Sequence, residues 1–136
     1  MYINSIAYMA DIIMRQKFKQ AMRDAIYPKY LGEIGNLING KVDCLDVTCQ
    51  QCPPNFFEIR ITIKKTTMRR CKGYSADSMY YYNIMNEVFN QFFIFNPEAA
   101  RIISCYNGLS VNDLRANFTS LCDIYCIGDK LVIIKL

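Results

Sequence analysis

Apolar positions recur along the chain with two different periods. After Asn4 or Ser5, either of which can cap a helix, Ile6, Met9, Ile13, Ala21 and Ala25 fall on one face at helical spacing, flanked by Ile12, Phe18 and Met22. Arg15, Lys17, Lys19 and Arg23 crowd the rest of that surface. The pattern predicts a helix to about Ile26 that Pro28 ends, followed by a loop region in which Gly32, Gly35 and Gly40 surround the short apolar stretch Ile34, Leu37 and Ile38. Phe57, Ile59, Ile61 and Ile63 then alternate with Glu58, Arg60, Thr62 and Lys64, which predicts a strand with one buried and one wet face. Helical spacing returns at Tyr81, Ile84, Met85, Val88, Phe89, Phe92 and Phe93, behind a cap at Ser75 or Ser78, and the helix is expected to run to about Phe95.

Local signals place the remaining elements. Asn96-Pro97-Glu98 reads as N-cap, N1 proline and first-turn acid of a third helix that Gly108 ends. Ser110-Val111-Asn112-Asp113 resembles a capping box for a short fourth helix through Phe118. Apolar runs on both sides of Gly128-Asp129 predict a two-residue β-hairpin. The expected fold class is α+β: about four helices packed on a small antiparallel sheet, with a C-terminal β-hairpin. One domain over 1–136 accommodates all of it: an N-terminal helix and loop (1–40), a cysteine loop and basic strand (41–74), and a helical region ending in the hairpin (75–136).

Composition narrows the classes. At 136 residues with 52% hydrophobic and 21% charged residues, the chain is globular in character. No apolar run of membrane-spanning length occurs, and the N-terminus lacks the basic start of a secretory signal. Seven cysteines, an odd number, with no export signal point to a reducing, intracellular location in cytoplasm or nucleus. The abundance of Ile, Asn, Tyr and Lys is what AT-rich codons produce, as in many large DNA viruses, so a virion is a further expected location. The net charge of +4 is uneven: residues 1–74 hold twelve basic against six acidic side chains, and residues 75–136 hold four against six.

Candidate chemistry is sparse. The chain has no His, so the commonest general base is missing, and no phosphate-binding glycine motif occurs. The sharpest constellation is Cys44, Cys49 and Cys52, whose C-x-x-C step and preceding cysteine suit one zinc ion with thiolate bonds of about 2.3 Å. Cys71 would complete four ligands by count, but a straight strand over 56–67 would span roughly 40 Å and set Cys52 and Cys71 at opposite ends. A fourth ligand would then come from Asp43, Asp46 or a C-terminal cysteine. The same thiols also fit the role of small buried hydrophobes, as do Cys122 and Cys126.

Two surfaces suggest partners. Arg60, Lys64, Lys65, Arg69, Arg70 and Lys72, ending beside Tyr74, suit a phosphate backbone with an unstacked base. The aromatic helix carries large apolar groups around most of its circumference, so Tyr81, Phe89, Phe92 and Phe93 are candidates for contact with another protein chain, its own copy or a different one. The helix 97–106, turn and helix 111–118, followed by a hairpin, resembles a winged helix-turn-helix, whose recognition helix would present Asn112, Arg115 and Asn117. The leading expectation is a non-catalytic protein–protein interaction module: a structural or accessory subunit of a larger assembly, viral in the sense above and braced by zinc. The alternative is a nucleic-acid-binding protein that uses the basic face at 60–72 or the winged-helix-like unit.

Overall fold

The structure is a computed structural model that describes residues 2–42, 46–52, 56–63, 78–108, 110–114, 118, 120–128 and 130–136, with the backbone alone for residues 2–8, 11, 107, 113 and 114. Helices α1 (Tyr2–Ala21) and α2 (Tyr27–Lys41) are joined without a break by a π-helical turn, Met22–Ile26. Strands β1 (Asp46–Cys52) and β2 (Phe56–Thr62) follow. Helices α3 (Ser78–Phe95) and α4 (Pro97–Asn107) come next, then the single turn α5 (Val111–Leu114). Strands β3 (Asp123–Ile127) and β4 (Leu131–Lys135) close the chain. The four strands form one antiparallel sheet in the order β1-β2-β4-β3, so two hairpins meet along β2 and β4.

The α+β class and the C-terminal hairpin are as expected. The helix count is not: among the described residues three helices exceed one turn, counting α1–α2 as one, and the expected fourth is only the turn α5.

The first helix does not end at Pro28. In the π-helical turn Tyr27 N–H donates to the Met22 carbonyl, and the widened turn accommodates Pro28 at the start of α2 directly after it. Arg23 anchors this turn to the sheet, its Nε donating to the Leu136 carbonyl at 3.2 Å and its guanidinium lying 5.7 Å from the Phe56 ring centre. The helix then runs through all three glycines because Tyr27, Tyr30, Ile34 and Ile38 supply a buried stripe at helical spacing. Farther up, the expected stripe of α1 divides. Phe18, Ala21 and Met22 are buried, but Met9 and Ile13 are exposed.

The helices cover one face of the sheet. Tyr27 meets Phe57 with ring centres 5.5 Å apart, and the Ile124 N–H donates to the Tyr82 hydroxyl of α3 at 3.2 Å. The inward face holds Phe57, Ile59, Ile61, Ile63, Val132, Ile134 and Ile124, all buried. This bears out the alternation from Phe57 to Ile63. Phe118 lies 5.7 to 6.3 Å, between ring centres, from Phe18, Phe89 and Phe93, tying α1 to α3. Buried Asn96 turns back to donate from Nδ2 to the Phe92 carbonyl, making no side-chain cap, while Gly108 ends α4 at φ +70° as expected. Residues 128–130 separate the paired residues Ile127 and Leu131, so the hairpin loop has one residue more than expected, with Gly128 at φ +57°.

Candidate interaction surface

The expected cysteine loop is partly a strand, and that separates the thiols. Side chains alternate between faces along β1, so Cys49 and Cys52, three residues apart, stand on opposite sides of the sheet. Cys49 points at α2, where its Sγ would lie 2.4 Å from a Cβ built on Gly35. Cys52 lies on the outer face, its thiol 3.7 Å from the Glu58 carboxylate. The strand therefore does not bring these two sulfurs to one ion; Cys44 and Cys71 lie outside the described residues. Among the described residues no group of three or more Cys, Asp or Glu is placed to hold a metal. Burial pushes the Cys49 thiol pKa up, and that of buried Cys122 up to about 12, with the Asp123 charge adding to burial there.

The aromatic helix is core. Tyr81, Phe89 and Phe92, expected as contact residues, are fully buried within the single chain, and Phe93 is 8% exposed. The sheet, α1, α2 and α4 surround α3 closely enough to bury Tyr81, Phe89, Phe92 and Phe93. Its exposed apolar side chains are Met79, Ile94 and Phe95. Of the basic stretch only Arg60 is described; Lys64, Lys65, Arg69, Arg70 and Lys72 lie outside. Arg60 stands exposed on the outer face with Nε 3.4 Å from the Glu58 carboxylate. Of the recognition helix, Asn112 sits on the turn α5, and Arg115 and Asn117 lie outside the described residues.

The outer face of the sheet carries what the sequence reading missed. Tyr125 and Ile127 on β3 are 49% and 52% exposed, and their register partners on β4, Ile133 and Leu131, are half-buried. Ile133 and Leu131 in turn pair with Arg60 and Thr62 of β2. The four apolar side chains therefore form one cross-strand cluster on the face away from the helices. Polar groups border it. Lys135 Nζ lies 5.3 Å from the Tyr125 ring centre. Glu58, 9% exposed, accepts from Gln50 Nε2 at 2.7 Å, and this bond, with the Arg60 charge, holds its pKa below the ordinary glutamate value. A signal was present in the sequence: Leu131-Val132-Ile133-Ile134 is apolar at every position, and a strand apolar on both faces calls for cover on both.

A separate cavity of about 420 Å³ opens between α3, α4 and α5, with Phe93, Phe118 and Val111 in its wall and Asn90, Arg101 and Ser104 among its polar lining. None of the described helices is long and apolar enough to cross a membrane. No family model, curated protein or solved structure matches the chain.

Proposed function

We propose that the protein is a non-catalytic protein–protein interaction module, a structural or accessory subunit that docks through the outer face of its sheet. The observation that carries this reading is the cluster of Tyr125, Ile127, Leu131 and Ile133 on the one sheet face the helices leave open. A fully buried apolar side chain contributes roughly 1.5–3 kcal/mol, so covering this cluster would be a substantial part of a binding energy. Its mixed border of Arg60, Glu58, Lys135 and Asp123 suits the polar rim of a protein interface. The cysteine content and the abundance of Ile, Asn, Tyr and Lys favour work inside the producing cell or in a virion.

The test is the native mass of tagged protein isolated from producing cells, wild type against Tyr125→Asp/Ile127→Asp. The wild type is expected in a particle heavier than one chain, and the variant as a folded monomer. A wild-type monomer, or a particle that keeps its mass in the variant, would refute the reading. Nucleic-acid binding is the second reading, favoured by Arg60 and by Lys135 above the Tyr125 ring on the same open face. Phosphate contacts weaken steeply with salt, whereas an apolar interface persists at 0.5 M, so the salt dependence of the particle separates the two.

A further inference from the structure

The two edges of the sheet differ in what closes them. The Leu136 N–H donates to the Phe57 carbonyl and the Ile63 N–H to the Lys130 carbonyl, so odd-numbered residues of β2 direct their backbone groups at β4. Successive residues of a strand alternate in this respect, so the even-numbered residues of β2 face β1. In the observed register their partners are Asp46, Thr48, Gln50 and Cys52. Val47, Cys49 and Gln51 therefore direct both N–H and C=O away from the sheet. The same alternation turns Ile124 outward on β3, where the Tyr82 hydroxyl accepts its N–H at 3.2 Å. One edge is thus closed at that position by a helix side chain, and among the described residues no hydrogen bond closes the other along β1.

Among the described residues this edge carries few of the usual guards, Asp46 being its one charged side chain. The seven residues of β1 include no Lys, Arg or Pro, and their pairing with β2 is continuous from Asp46↔Thr62 to Cys52↔Phe56, without a bulge. Beside it lies a groove of about 510 Å³ between α2 and β1, lined by Gly32, Gly35, Asn36, Asn39, Val47 and Thr48 among others. Gly32 has nothing within 4 Å of where a Cβ would stand, so the groove owes part of its room to that missing side chain.

We propose that β1 takes an extended segment of a partner protein as a fifth strand. The segment's backbone would bond Val47, Cys49 and Gln51, and its inward side chains, small to medium in size and uncharged, would enter the groove beside α2. The occupant is an extended segment rather than a second copy because α2 lies over β1, with Gly35 against Cys49. Pairing two β1 strands would bring two α2 helices toward a separation of about 4.8 Å, whereas packed helix axes need about 8–10 Å. The site is distinct from the outer face, so it stands or falls separately from the docking reading above.

The probe is a phage-displayed library of random nonapeptides, followed by fluorescence anisotropy with the enriched peptides. Enriched sequences should alternate uncharged apolar and polar positions. Their binding should weaken about tenfold or more in Gln51→Pro, which removes an outward N–H on an edge strand without touching the β2 ladder. Gly32→Leu, which fills the groove, should weaken binding comparably, while Gln51→Thr and Tyr125→Asp leave it unchanged. Amide exchange at Val47, Cys49 and Gln51 should slow when peptide is bound. Failure to enrich any sequence, or binding indifferent to both Gln51→Pro and Gly32→Leu, overturns the proposal. So does a dimer of the free chain that Gln51→Pro returns to monomer, because the occupant is then a second copy.

Discussion

At the scale of single residues, the contact between Gly35 and Cys49 sets how closely α2 sits on the sheet. A Cβ at position 35 would meet Cys49 Sγ at 2.4 Å, so either the sulfur or the helix must shift to admit it. Gly35→Ala should lower stability despite the gain in helix propensity, and adding Cys49→Ala should recover most of the loss. Chemical denaturation of the two single variants and the double variant measures that coupling. Gly32→Ala meets nothing and should instead stabilise the protein by about 1 kcal/mol or less. Glu58 gives the pH dependence. Its folded pKa is lowered, chiefly by the Gln50 bond, so its contribution is full above the ordinary value of 4.5 and lost as the pH falls through the folded value. Denaturation of wild type and Glu58→Gln at a series of pH values should show a stability gap at neutral pH that closes in acid. Thiol labelling should follow burial: exposed Cys105 reacts in the native state at pH 8, and Cys122, buried with its pKa pushed to about 12, reacts only on unfolding.

At the scale of elements, the strongest periodic signals were legible and the punctuation misled. The alternation from Phe57 to Ile63 located β2 and its buried face, and the Tyr81–Phe93 spacing located α3. Pro28 and the three following glycines read as the end of a helix and a loop, but the chain continues helically. The π-helical turn places Pro28 in a first turn, and burial of Tyr30, Ile34 and Ile38 outweighs glycine's propensity cost of about 1 kcal/mol each. The C-x-x-C spacing suggested a metal knuckle because a turn would juxtapose the two thiols; a strand sets them on opposite faces. The apolar circumference of α3 suggested a partner chain because sequence does not reveal how many elements surround a helix. Here its own neighbours bury Phe92 and Phe93. Phe92→Asp and Phe93→Asp should therefore each abolish folding of the isolated chain, with loss of the cooperative thermal transition in circular dichroism. A folded variant with a weakened self-association would contradict that.

At the scale of the whole molecule, the described helices cover one face of the sheet and leave the other open. The candidate interaction surface was legible only as the doubly apolar run of β4, because a cross-strand cluster depends on the register between β3, β4 and β2. The open outer face carries the proposed function, and it is best tested in place. Hydroxyl-radical footprinting with mass spectrometry would compare side-chain oxidation in the protein's native particle with that in the isolated chain. The account predicts that Tyr125, Ile127, Leu131 and Ile133 become protected in the particle while the exposed side chains of α3, Ile94 and Phe95, keep their reactivity. Equal oxidation of the four sheet residues in particle and isolated chain, with protection elsewhere, would contradict it.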